Sequence, residues 1–177
     1  LPRLDRWLLL RGRYGFSEWH SNVYFNEDIP ALVNLVDFAE DETIRAKATV
    51  VLDLLALDLL ENTYRGRFAT THGRVYQGKF INGLNDSTQE AAWIMTGLGS
   101  YDSGDNFSAA FLATSDYYTP GILADLATAV SARHEHRQRD SFDIEEGPAL
   151  GISYEGVDDV VVWAGLSAIV APDVIDG

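Results

Sequence analysis

With 177 residues the chain is long enough for one domain with a full core, and one is expected rather than two full ones, since a domain of this size buries roughly 70% of the surface its unfolded chain exposes. Hydrophobic residues at 46% and charged residues at 23% exclude a disordered chain or a coiled-coil rod, and Cys 0 excludes disulfides, thiolate nucleophiles and cysteine-bound metals. Thirteen Lys and Arg against 27 Asp and Glu leave a net charge of −14, which repels phosphate backbones and anionic lipid and excludes nucleic acid as a partner.

Leu4, Trp7, Leu8 and Arg11 fall at helical spacing and predict a first helix over Leu1 to Arg13, stopped by Gly12 and Gly15. The aromatic and polar run from Gly15 to Asn26 follows neither a helical nor a strand period and reads as an ordered loop. Glu27-Asp28-Ile29-Pro30 then opens a second helix, with Asp28 near its positive end and the proline in its first turn, running to Phe38. Asp41 caps a third helix, Glu42 to Asn62, whose apolar residues on nearly every side predict burial among other helices. Two long helices joined this tightly form an antiparallel αα-hairpin.

Glycines at 66, 73, 78 and 83 mark Arg65 to Asp86 as a long ordered loop with room for a small hairpin. Ser87 with Glu90 three residues on forms a capping box for a fourth helix reaching Leu98. Asn106 to Thr114 predicts a short helix, and Thr119-Pro120 starts another that reaches Ala132. Arg133 to Asp140 has two readings, an exposed strand or more of that helix. Ile144 to Leu150 adds a helical turn, and Val157 to Val170 reads as a last buried helix. The fold class expected is all-α, a set of antiparallel helical hairpins with long ordered loops and at most one small β-hairpin.

Among the basic residues only Lys47 and Lys79 are lysines, and Asp outnumbers Glu. Such a composition resembles proteins of salt-loving organisms; an acidic, arginine-biased chain from a GC-rich genome is the alternative. The most apolar stretch, Thr49 to Leu60, is interrupted by Asp53 and Asp58, so no membrane insertion is expected. Absence of cysteine leaves the compartment open, with a secreted or cell-surface setting slightly favoured. A start at Leu1 and the helix-like ending Pro172 to Asp176 suggest a fragment of something longer. Nothing in the sequence speaks to oligomeric state.

Three runs carry a family resemblance: Gly15-Phe16-Ser17-Glu18-Trp19-His20-Ser21-Asn22-Val23-Tyr24, then Asp28 to Ala39, then Thr71-His72-Gly73-Arg74-Val75-Tyr76. Over Leu1 to Asp86, and more faintly over Val157 to Asp173, the chain resembles bacterial and archaeal proteins built as an (α/α) toroid, a ring of helical hairpins shared in fold with polysaccharide lyases and glycoside hydrolases. What the resemblance implies is a ring fold and a polysaccharide or oligosaccharide substrate, since fold alone does not fix function. A full ring of six hairpins needs well over about 300 residues, and with about six to eight helices here the chain is either half a ring or a smaller helical array.

The chemistry-bearing residues gather in the two loops that flank the αα-hairpin. Glu18, Trp19, His20, Asn22 and Tyr24 stand in one, and Arg67, His72, Arg74 and Tyr76 in the other, so an antiparallel hairpin brings both loops to one end of the bundle. A lyase acting on a uronic acid neutralises the sugar carboxylate, removes the adjacent proton and protonates the leaving oxygen. Asn22 and Arg74 suit the first task and His72 with Tyr76 the proton transfers, with Glu18, Trp19, His20, Tyr24 and Arg67 lining the cleft and Arg65 adding positive charge.

The bland alternative is that these groups tie down a glycine-rich loop and fill the core beneath it. A glycosidase would instead use Glu18 and Asp28 as its carboxylate pair, and a third alternative is a non-catalytic module for saccharide binding or assembly. Asp37, Asp53 and Asp58, on apolar helices, demand hydrogen-bonding partners and read as structural. His134 and His136 lack a clear third ligand and read as a solvated segment. No cofactor or metal is expected, and no nucleotide-binding or serine-hydrolase motif occurs.

Overall fold

The computed structural model describes residues 2–16, 18–101, 104–105, 107–129, 135–139, 142–153, 155–156 and 159. They fall into two compact units, Leu1–Ser17 with His136–Gly177, and Glu18–Glu135. Secondary structure is predominantly helical, and the class is all-α.

In the first unit, α1 spans Pro2–Tyr14, passing through Gly12 and ending where the Gly15 N–H returns to the Arg11 carbonyl at 2.9 Å. Leu10 packs with Phe142 and Ile152, and Tyr14 lies 5.0 Å from Phe142 between ring centroids. The Arg11 guanidinium sits over the rings of Trp7 and Phe16, 6.0 and 5.8 Å from their centroids. The predicted turn after Ile144 is present as two 3₁₀ turns, Ile144–Glu146 and Pro148–Leu150. Residues 135–139 form neither the strand nor the helix considered for them. His136 Nε2 pairs with Gln138 Oε1 at 2.9 Å, whereas His134 lies outside the described residues. The helix expected over Val157 to Val170 lies outside them too, apart from helical Asp159, which pairs with Arg6.

The second unit is organised by the αα-hairpin of α2 (Asn22–Phe38) and α3 (Glu42–Glu61). Asp41 caps α3 as expected, accepting from the Thr43 and Ile44 N–H groups at 2.8 and 3.2 Å. Phe25, Ile29, Leu32 and Val33 on α2 and Ala48, Val51, Leu52, Leu55 and Leu59 on α3 are buried in the core. Helix α2 begins earlier than its sequence suggested. Ser21 is the N-cap, its hydroxyl accepting from Tyr24 N–H at 3.2 Å, so Asp28 sits in the second turn and Pro30 inside the helix. The serine cap outweighs the proline signal because it satisfies a donor that would otherwise be orphaned.

The expected all-round burial of α3 is corrected: Val50 and Leu54 face outward and are exposed. Two of the aspartates on α2 and α3 have the hydrogen-bonding partners expected of them. Asp53 accepts from the Tyr117 hydroxyl at 2.7 Å, and Asp37 of α2 accepts from the Ser115 hydroxyl at 2.8 Å and the Asp116 N–H at 3.2 Å.

After α3 a two-residue hairpin pairs β1 (Thr63–Tyr64) with β2 (Arg67–Phe68), antiparallel, with Thr63 opposite Phe68. Its turn holds Arg65 at φ 51 and Gly66 at φ 74, the double left-handed geometry of a two-residue hairpin. A Cβ on Gly66 would fall 2.4 Å from the Gly99 Cα, so only glycine lets these backbones meet. The stretch expected to be entirely loop and hairpin also contains α4 (Gln77–Ile81) and a 3₁₀ turn at Gly83–Asn85.

Helix α5 runs Gln89–Thr96, shorter than Ser87 to Leu98. Its N-cap is Thr88, not the expected Ser87, and makes no side-chain cap bond; just ahead of the helix Asp86 accepts from the Thr88 N–H at 2.7 Å. Helix α6 (Phe107–Thr114) matches its expectation, and α7 (Gly121–Thr128) stops short of Ala132 because Ala129 is extended. Helix α2 packs on α3 and α6, α3 on α7, and α5 on α6.

Candidate functional site

The loops before α2 and after β2 meet, as their placement around the hairpin required. Glu18 Oε2 accepts from Arg74 Nε at 2.7 Å. His72 Nδ1 lies 2.7 Å from the His20 carbonyl, the Gly73 N–H bonds to the Trp19 carbonyl, and the Ser21 hydroxyl donates to the Arg74 carbonyl at 3.2 Å. A Cβ on Gly73 would stand 2.9 Å from the Trp19 nitrogen, which accounts for the glycine in Thr-His-Gly-Arg.

The same contacts consume much of the polar chemistry. Asn22 is 0% exposed, its amide donating to Asp86 Oδ2 at 2.8 Å while its own oxygen is buried without a hydrogen-bond partner. A group sealed in this way has no access to a sugar carboxylate, so the role expected of Asn22 is corrected to a structural one. His20 is 2% exposed, at φ 43, with its ring against Trp19, Phe25 and Phe68. It supports the loop from below and does not line a cleft. Arg67 turns inward, bonding to Gln89 Oε1 and, at 3.1 Å, to the Ser100 hydroxyl, so its place in the cleft is corrected as well. Asp28, considered as a glycosidase carboxylate with Glu18, is half-buried on α2, and Glu18 spends an oxygen on Arg74.

Half-buried Tyr24 and Arg74 form a rim with the exposed Tyr76, and His72 and Trp19 are half-buried as well. Arg74 lies over the Tyr24 ring, 5.3 Å from its centroid. Hydrogen bonds to Glu18 and then to Tyr76 hold the guanidinium proton even more firmly than usual. Tyr76, the N-cap residue of α4, is 56% exposed. Arg65 is exposed at the hairpin turn with its guanidinium over Tyr64.

Sequence reasoning missed a second group. Val23, Asn26 and Glu27 on α2, Lys79 on α4, and Ser87, Asp105 and Phe107 line an open cavity of about 570 Å³. Lys79 Nζ donates to Asp105 Oδ2 at 2.8 Å, and the Asn26 amide donates to Asp105 Oδ1 at 3.0 Å. Asn26 is itself fixed, its oxygen accepting from the Ser108 N–H at 3.0 Å and from the Ser108 hydroxyl. Burial works against ionisation of Asp105, but Lys79, Ser87 and Asn26 together keep its carboxyl below the usual range. Lys79 being one of two lysines was the only signal, since its partner stands 26 residues away.

Compared with known proteins, the chain matches no family model, no curated protein and no solved structure. Fold and surface define an all-α protein with a polar, aromatic rim and an open groove; no helix among the described residues is long and apolar enough to cross a membrane.

Proposed function

We propose that the protein is carbohydrate-active, built on the plan of an (α/α) toroid, and that it holds a saccharide against the rim of Tyr24, Arg74 and Tyr76. The ring plan is supported by the α2–α3 hairpin and by the packing of later helices on both of its members. The observation that carries the saccharide reading is the Arg74 guanidinium, clamped by Glu18 and stacked on Tyr24 beside an exposed phenol. Fixed planar donors next to aromatic surface suit a ligand that offers hydroxyls along its edge and C–H groups on its face.

Binding fits this rim better than bond cleavage, because three of the groups enlisted for catalysis or cleft lining are sealed or committed internally. A β-eliminating activity on an acidic polysaccharide stays as the second reading, favoured by the exposure of Tyr76. Its phenol would take up the proton transfers beside His72, and Arg74 alone would face the carboxylate.

Titration with oligosaccharides, followed by the backbone amide signals of Gly73, Arg74 and Tyr76, tests the binding reading. Perturbation of these signals that is lost in Arg74→Ala is the expected result, and silence toward neutral and acidic oligosaccharides alike overturns it. Appearance of ultraviolet-absorbing unsaturated product from a uronic-acid polymer, abolished by Tyr76→Phe, would establish the eliminating activity.

A further inference from the structure

The groove between α2, α4 and the start of α6 has a composition distinct from the rim. We infer that it is a separate subsite for a neutral, hydroxyl-rich sugar ring, one that disfavours uronates. It stands on its own residues and holds or fails independently of the rim.

Lys79 and Asp105 place an ammonium donor and a carboxylate acceptor 2.8 Å apart, both partly open to solvent. Only one of the three ammonium protons is used in that bond, and the Asp105 carboxylate, which accepts from Lys79, Asn26 and Ser87, belongs to a group with about four acceptor positions. A donor and acceptor side by side match a vicinal diol, in which one hydroxyl accepts from Lys79 while its neighbour donates to Asp105. Both bonds are charge-assisted and stronger than neutral ones. Because Asn26 is locked by Ser108, the pair is held in place before any ligand arrives, which limits the ordering cost of binding.

Phe107 is 50% exposed at the groove wall and offers a ring to the apolar C–H face of a pyranose. The cavity volume of about 570 Å³ lies within the range of small-molecule sites. Charge then selects among sugars. Glu27 and Asp105 against Lys79 leave an excess of one negative charge among the lining residues, on a chain of net charge −14, so a uronate would be repelled where a neutral ring is not.

The test uses the full chain, isotope-labelled, titrated separately with cellotetraose, maltotetraose, xylotetraose and tetragalacturonate. At least one neutral tetrasaccharide is expected to shift the Asn26 side-chain amide and the Ser108 N–H. Phe107→Ala and Lys79→Ala, each at the open groove wall, are expected to weaken that binding at least about tenfold, and Tyr118→Ser, at an 89% exposed site, to leave it unchanged. An undisturbed amide spectrum in each variant separates lost binding from lost structure. The inference is overturned if no neutral tetrasaccharide moves these signals at about 10 mM, if Phe107→Ala binds as well as the parent, or if tetragalacturonate binds more tightly than the neutral sugars. Shifts confined to Gly73, Arg74 and Tyr76 would overturn the groove while leaving the rim reading in place.

Discussion

Asn22 illustrates how a residue that looks like chemistry becomes architecture. Its amide is the link between the start of α2 and Asp86, whose other oxygen accepts from the Thr88 N–H just ahead of α5. Asn22→Ala should therefore leave a buried carboxylate short of a partner and cost about 2 kcal/mol, measured by denaturant unfolding, with saccharide binding at the rim unaltered in whatever protein remains folded. Gly66 makes the complementary point about backbone. Gly66→Ala adds a methyl group against Gly99 and a side chain at φ 74, so a loss of about 2 to 3 kcal/mol is expected, seen as a lower unfolding midpoint. The glycine spacing was visible in the sequence, but the partner that makes Gly66 irreplaceable stands 33 residues away and was not.

Helix α3 separates propensity from packing. Its leucines are similar in sequence, yet Leu52 is 0% exposed and Leu54 is 36% exposed. Leu52→Ala should cost about 2 to 5 kcal/mol by leaving a cavity, whereas Leu54→Ala should fall within about 0.5 kcal/mol of the parent; the two unfolding midpoints measured side by side check this. An apolar run reports that a helix has something to bury without saying which turn faces it. The beginning of α2 teaches a similar lesson about caps. The sequence places the start at Glu27 to Pro30 and reads the run containing Ser21 as a loop; in the fold Ser21 is the N-cap, accepting from the Tyr24 N–H and donating to the Arg74 carbonyl. The five-residue α4, with Gly78 inside it, has no periodicity to read.

Charge acts on the whole molecule. Asp105, Glu146 and Asp159 all titrate below their ordinary values of 3.8, 4.5 and 3.8. For Asp105, burial opposes the shift and Lys79, Ser87 and Asn26 overcome it; Arg139 lowers Glu146, and hydrogen bonds from Ser153 lower Asp159. A carboxyl depressed in the folded state contributes its full stabilisation above its unfolded value, and that contribution disappears as the pH falls through the folded one. Stability should thus decline below about pH 4.5, and Asp105→Asn should flatten part of that decline in unfolding midpoints measured across the acid range. Tyr117 has the opposite sense. Burial and then Asp53 push its phenol up, so its contribution is complete below 10 and is lost as the pH rises through the folded value. With −14 of net charge, self-repulsion should also be relieved by screening, so the melting temperature is expected to rise as salt increases from about 0.01 to 1 M. An unchanged melting temperature would remove the salt-adapted reading of the composition.

The amino-acid order by itself determined the all-α class, the αα-hairpin with its Asp41 cap and the meeting of two loops at one end, because caps, periodicity and connection length are local quantities. Tertiary structure alone decided which polar groups remain available. Asn22, His20 and Arg67 found partners or burial inside the fold, while Asn26, Lys79 and the nearby pair Asp105 and Phe107 were gathered at a groove from three separate segments. The physical reason is that desolvation and hydrogen bonding depend on neighbours brought from distant parts of the chain, and no local pattern encodes them.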